Sequence, residues 1–215
     1  MDIRPWPSLL LVGPTGSGKT PLGDELERRG FLGRQCVHFD FGANLRAVAA
    51  APDKADVLTA TECDSVRTSL ATGALFEDKD MPMIVKIVKR FAEARRLTPE
   101  FLLVLNGLPR HRRQAEGLAG VVAVERVVYL EAGAAVIRER LRLDPGGDRS
   151  ERIDDTLEAV ERRLAAFRKR TVPLVSYYRE RGALVAEIPV TPSMTAAEAY
   201  QSLVKRLSID PWPAL

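Results

Sequence analysis

The sequence predicts an α/β fold: a five-stranded parallel sheet with helices on both faces, three layers in all. Three observations carry this. Short apolar runs at 9–12, 35–40, 101–105, 126–130 and 183–188 alternate with segments whose apolar residues recur at helical spacing, the pattern of strands joined by helical crossovers. The first run leads directly into Gly13-Pro-Thr-Gly-Ser-Gly-Lys-Thr20, a complete GxxxxGK[ST] box. The length, 215 residues with 46% hydrophobic and 28% charged, suits one domain with a sizeable core and not two.

Leu9 to Val12 read as a buried strand, and Leu22 and Leu26 as the apolar side of a helix that ends at Gly30. The box between them is a phosphate-binding loop (P-loop). Gly13, Gly16 and Gly18 permit the backbone angles that turn successive N–H groups toward one anion, and a helix N-terminus faces the same place. Gly13, Thr15, Gly16, Ser17, Gly18, Lys19 and Thr20 are therefore the expected cradle for a nucleotide's phosphates, with Lys19 on the outer phosphates and Thr20 on Mg²⁺.

A second strand, 35–40, ends in Asp40 at the same carboxyl edge, where ligands of such sheets bind. Asp40 is equally readable as a helix N-cap and as a chemical group. Helices follow at 43–50, around Val66 and Leu70, and through Ile84, Ile87, Val88 and Phe91, whose spacing is a buried helical stripe. Two helices before the next strand suggest a helical insert, about 41–80, that holds a second substrate. The third strand ends in Asn106-Gly-Leu-Pro-Arg110; Asn106 is placed to face a metal and Arg110 to face a phosphate, while His111 is expected at the surface.

The fourth strand starts at Arg126, and a helix at 134–141 carries Arg138 and Arg140. The polar, Gly-rich stretch 144–152 reads as a mobile loop, giving a short lid at about 143–153. Asp154 and Asp155 should open a long helix with Leu157, Val160, Leu164 and Phe167 on one side, kinked by Pro173. After the fifth strand, Thr195-Ala-Ala-Glu198 is a capping box for the last helix.

A net charge of +3 without aromatic-basic interleaving argues against nucleic acid, and no apolar run approaches the ~18 residues of a membrane span. The 32 basic residues comprise 25 Arg and 7 Lys, a bias that suits forked recognition of phosphates. Cys36 and Cys63 are the only cysteines, which fits core positions in a reducing, cytoplasmic compartment. A monomer is expected.

With these residues in place, the chain resembles the nucleoside monophosphate kinases, adenylate kinase in particular. The resemblance spans nearly the whole length and rests on the P-loop, His38-Phe-Asp-Phe-Gly-Ala-Asn-Leu-Arg46, Gly73-Ala-Leu-Phe, Asn106-Gly-Leu-Pro-Arg110 with Gln114, and Arg152-Ile-Asp-Asp155 with Arg163. It implies ATP and Mg²⁺, with Arg46 and Arg110 on the acceptor's phosphate, Gln114 on its base, Arg140 against the donor nucleotide, and Arg152 and Arg163 clamping the phosphoryl group in flight. Lys19, Arg110, Arg140, Arg152 and Arg163 are thus the expected catalytic set, Asp40, Arg46, Arg110 and Gln114 the acceptor set, and Thr20 and Asn106 the metal set.

Three departures stand out. Asn106 takes the place of the family's Asp, and Phe41-Gly42-Ala43 the place of its Thr-Gly-Asp. The stretch from Lys19 to Gly23, with the strand ending Phe39-Asp40, is more similar to shikimate and gluconate kinases, which phosphorylate a hydroxyl. Three readings stay open on sequence: transfer of the ATP γ-phosphoryl to a phosphate-bearing acceptor, transfer to a hydroxyl with Asp40 as base, and a weakly active nucleotide-binding relative, favoured by Asn106.

Overall fold

A computed structural model describes residues 4–51, 57–145 and 157–207. Its centre is β1 (Trp6–Val12), followed by α1 (Lys19–Arg29), β2 (Cys36–Asp40), α2 (Phe41–Ala50) and α3 (Ala60–Thr72). Next come α4 (Met81–Ala94), β3 (Leu102–Asn106), α5 (Arg112–Leu118), β4 (Val122–Glu131), α6 (Ala134–Leu143), α7 (Leu157–Ala166), α8 (Pro173–Arg179), β5 (Leu184–Pro189) and α9 (Ala196–Leu207). The five strands form one sheet in the order β2-β3-β1-β4-β5, every pair parallel.

The alternation of side chains along each strand divides the core in two. Leu9 and Leu11 of β1, with Leu102 and Val104 of β3, face α1 and α9 through Leu22, Leu26 and Leu203. Leu10, Val12, Leu103 and Leu105 face the other way, onto Ile84, Ile87 and Val88 of α4 and Leu174 of α8. The stripe at 84, 87 and 88 is buried as its spacing requires.

Local chemistry sets the ends of the elements. Gly30 closes α1 at φ 74, and Thr195 and Glu198 exchange hydrogen bonds ahead of α9. Asp40 caps α2 by accepting from the Ala43 N–H at 2.8 Å, so that helix begins two residues earlier than its apolar pattern indicates. Ahead of Pro173 the helical chain loosens into a π-helical turn, Phe167–Thr171, the adjustment expected where proline removes a donor. Residues 146–156, which hold most of the expected lid, Arg152 and the Asp154-Asp155 helix start, lie outside the described residues.

The topology creates the site. Chain leaving β1 travels to β2 at one edge, and chain leaving β3 crosses to β4 on β1's other side, so a crevice opens at the carboxyl ends of β1 and β3. At those ends stand the P-loop, which follows β1, and Asn106, the last residue of β3.

Candidate functional site

The P-loop has the backbone its glycines allow. Gly16 and Gly18 sit at φ 85 and φ 92, where other residues are strained. Gly13 is required for space: a Cβ there would stand 2.4 Å from Ser17 Oγ and 3.1 Å from Leu130 Cβ. Ser17 is buried beneath the loop and Thr15 lies half-buried at its rim. The Lys19 ammonium is drawn over the loop, donating to the carbonyls of Gly13 at 2.7 Å and Pro14 at 2.8 Å. A compact positive charge therefore stands at the mouth of a ring of N–H groups at the start of α1, the physical form of a phosphate site.

Two strand ends and the first turn of α1 converge beside it. Thr20 Oγ1 donates to Asp40 Oδ2 at 2.8 Å; Asn106 Nδ2 lies 2.9 Å from the same carboxylate oxygen and 3.0 Å from Thr20 Oγ1. Asp40 was expected among acceptor-binding groups; its hydrogen bonds tie it instead to Thr20 and Asn106, the pair expected at the metal. Among the described residues no group of three His, Cys, Asp or Glu could hold a metal by itself. A hydroxyl and one carboxylate beside a phosphate loop nevertheless fit Mg²⁺, which takes few protein ligands, keeps waters and shares phosphate oxygens.

Arg110 and Arg46 are the two arginines expected on an acceptor's phosphate. Arg110 is half-buried and donates through Nε to the Gly107 carbonyl at 2.8 Å. Burial pushes its guanidinium below the usual range, the charge of Asp40 draws it back up, and the nearby Arg163 depresses it further. Two guanidinium groups within electrostatic reach of one another beside a carboxylate form a place made for an added anion. Arg46 is exposed, and its guanidinium passes over Gly42: a Cβ built there would lie 3.4 Å from Arg46 Nη1 and 3.3 Å from Asp40 Oδ1. Phe41 is buried against Phe39 and Phe76, ring centroids 6.1 and 5.9 Å away.

Two expected residues stand elsewhere. Gln114 is 1% exposed, its amide oxygen accepting from the Arg110 N–H at 2.8 Å and its Nε2 donating to the Phe76 carbonyl at 3.0 Å. It braces the turn after β3 and does not face the crevice. Arg140 is 5% exposed and lies behind the P-loop, donating to the carbonyls of Gly16, Thr191 and Met194 at 3.0, 2.7 and 2.9 Å. It fixes the loop to the chain ahead of α9, and its Nη2 would be 3.1 Å from a Cβ at Gly18.

His111, expected at the surface, is buried, with Nε2 3.1 Å from the Phe76 carbonyl. His38, which the sequence offers only as the first residue of the His38–Arg46 motif and with no role of its own, is buried, its Nε2 3.3 Å from Asn106 Nδ2.

A cavity of about 660 Å³ is at the opposite edge of the sheet, around the start of β2. Its arginines are occupied: Arg28 and Arg29 pair with Glu25, Arg95 with Glu27, and Arg34 with the carbonyls of residues 99–101. The P-loop crevice is therefore the candidate site.

No protein-family model matches the chain. An adenylate kinase of Stenotrophomonas maltophilia is 31% identical over 186 residues, covering 82% of this chain and 87% of the relative. Adenylate kinases of Synechococcus sp. strain CC9311 (34% identical, 82% and 86% covered) and Parasynechococcus marenigrum (31%, 93% and 98%) are similarly related. Among solved structures, an unliganded sugar kinase from Janibacter sp. HTCC2649 superposes over 96% of this chain and 97% of its own, with TM-score 0.52 and 14% identity, a likeness of fold. With its P-loop, parallel sheet and nucleotide-kinase relatives, the chain belongs to the adenylate kinase-like family of P-loop kinases, phosphotransferases that bind nucleotides.

Proposed function

We propose that this kinase transfers the γ-phosphoryl group of ATP to the phosphate of a nucleoside monophosphate. The observation that carries the reading is Arg110, within electrostatic reach of both Arg163 and Asp40 at the sheet edge that also carries the P-loop, with the Arg46 guanidinium over Gly42. Phosphoryl transfer asks chiefly for alignment and for positive charge around three equatorial oxygens.

The P-loop amides and Lys19 would hold the donor's β and γ phosphates. Arg46 and Arg110 would hold the acceptor phosphate in line with the γ-phosphorus, and Arg163 would neutralise charge as it spreads. An acceptor oxygen forms a bond to that phosphorus while the bond to the β–γ bridging oxygen breaks, leaving ADP and a nucleoside diphosphate. The acceptor phosphate is already ionised, so no general base is needed. Thr20 and Asp40 would hold Mg²⁺, which draws charge from the phosphate oxygens.

Asp40 also bears on the other readings. A carboxylate serving as base to a hydroxyl acceptor should face that hydroxyl, whereas Asp40 accepts from Thr20 and Asn106 on one oxygen and from Ala43 on the other. It equally supplies the negative charge that Asn106 lacks, which removes the main support for an inactive relative. The helical segment 41–80 is the proposed acceptor side, and with Phe41 and Ala43 replacing polar groups and Gln114 turned inward, an acceptor other than AMP is favoured.

The test is ADP release in a coupled assay with ATP, Mg²⁺ and a panel of nucleoside monophosphates, nucleosides and sugar acids. Arg110→Ala should lower turnover of the active pair about 100-fold or more. Asp40→Asn should weaken the response to Mg²⁺ with any acceptor. A hydroxyl substrate whose turnover survives Arg110→Ala would replace this reading with the hydroxyl-kinase one.

A further inference from the structure

A buried chain of polar side chains runs from the surface to the metal-side triangle. Asp24 on α1 has a side chain 66% exposed; its Oδ1 lies 2.8 Å from Nδ1 of His38, whose side chain is 4% exposed. His38 Nε2 is 3.3 Å from Asn106 Nδ2, and that amide nitrogen reaches Asp40 Oδ2 and Thr20 Oγ1 at 2.9 and 3.0 Å.

The fit is built into α1. A Cβ on Gly23 would stand 2.3 Å from His38 Nε2, so the imidazole occupies space that any other residue in the helix would fill. A glycine inside a helix costs about 1 kcal/mol relative to alanine. The helix tolerates that cost at the position that gives His38 its room.

Hydrogen-bond roles then follow along the chain. A carboxylate can only accept, so Nδ1 of His38 carries the proton of that bond, and Nε2, which faces the Asn106 amide nitrogen, is left to accept. That acceptor calls for the NH₂ side of Asn106. The same NH₂ meets the Asp40 carboxylate, where the amide oxygen would be repelled.

We propose that His38, fixed by Asp24, is a positioning residue: it sets the amide orientation of Asn106 and thereby the placement of Asp40 and Thr20 for Mg²⁺. Asn106 is, in this arrangement, a donor that holds the carboxylate and not itself a ligand, so the negative charge of the site has moved from the end of β3 to the end of β2. The metal half of the statement rests on the kinase reading above. The tautomer half does not.

Two measurements test it. The full chain, labelled with ¹⁵N-histidine and free of nucleotide, contains only His38 and His111; two-bond ¹H–¹⁵N spectra at pH 8, assigned with a His111→Gln variant, should show His38 as the Nδ1–H tautomer. An Nε2–H tautomer or a doubly protonated ring overturns the proposal whatever the protein's substrate is. Asp24→Ala, a change at the surface, should mix the two tautomers, and an unmixed spectrum contradicts the part given to Asp24.

The second measurement is the Mg²⁺ dependence of ATP binding by calorimetry, with EDTA as the metal-free reference. His38→Asn retains a donor to Asp24 but has no acceptor at Nε2; it should leave metal-free ATP affinity unchanged and raise the Mg²⁺ requirement about 10-fold, the scale of losing a residue that orients a metal ligand. His38→Gln, whose amide oxygen reaches the Nε2 position, should restore it. Equal behaviour of the two variants, both normal or both impaired, overturns the positioning role. A wild type that does not bind ATP with Mg²⁺ contradicts the kinase reading instead, and the spectra then decide the tautomer alone.

Discussion

Lys19 and Gly23, four positions apart on α1, make opposite demands on substitution. Lys19 supplies the charge over the loop carbonyls, and little of the core rests on it. Lys19→Ala should leave the fold intact and lower transfer about 100-fold or more. Melting curves check the binding part: ATP at about 100 times its dissociation constant protects by about 2.7 kcal/mol in the wild type, and equal protection of the variant would contradict the phosphate-site assignment. Gly23→Ala runs against the usual sign. An exposed helical glycine gains about 1 kcal/mol on replacement by alanine, but here the new methyl would collide with His38 and the variant should lose about 1–3 kcal/mol; denaturant unfolding decides between gain and loss. Residue by residue, the P-loop was legible because its chemistry is local, with every phosphate-facing group within eight positions. Thr20 and Asn106 were paired through the family resemblance, but the tie of Asp40 to them was not legible, since it lies 20 and 66 positions from them and only the sheet order brings the three together. His111 was misplaced for the same reason: its partner is a backbone carbonyl 35 positions away, and a carbonyl leaves no mark in a sequence.

At the scale of elements, apolar runs and stop signals located all five strands, and Gly30 and Thr195 marked helix ends with chemistry that the structure repeats. The runs underestimated β4, which begins at Val122 and buries Arg126 at 1% exposure; a charged residue there reads as a strand end when only the pattern is available. The π-helical turn before Pro173 has a further role, since Arg170 from it grips Glu77 with two hydrogen bonds of 2.7 and 2.9 Å and joins the helical segment after β2 to the sheet's helical cover. The hydrogen bond from Arg170 holds the Glu77 carboxyl below its ordinary value of 4.5. A depressed carboxylate contributes stability above its unfolded pKa and loses it as pH falls through the folded one. Both side chains are partly exposed, so Glu77→Gln should destabilise by only about 0.5 kcal/mol at pH 7. The difference should fade as pH falls below 4.5 in urea unfolding at a series of pH values; a difference that persists in acid would assign it to packing. Cys36 at the start of β2 has its thiol pushed up to about 12 by burial and should resist alkylation at pH 8 in the native state.

Across the whole molecule, the fold class followed from the alternation of apolar runs and helical stripes, because a parallel sheet buried on both faces has few other ways to be written. The strand order also explains why the P-loop, the Thr20, Asp40 and Asn106 triangle and Arg110 share one edge: β1, β2 and β3 deliver Gly13, Asp40 and Asn106 to adjacent positions, and the turn after β3 delivers Arg110. Among the described residues no helix is long and apolar enough to cross a membrane. The central claim is that both phosphates, donor and acceptor, meet in this crevice, and ³¹P NMR of the protein with ATP, Mg²⁺ and each nucleoside monophosphate in turn tests it most directly. The account predicts that with at least one of them the signals of a nucleoside diphosphate grow together with those of ADP. Accumulation of only ADP and inorganic phosphate with every monophosphate, or of a phosphate ester when a hydroxyl compound is supplied instead, would contradict it.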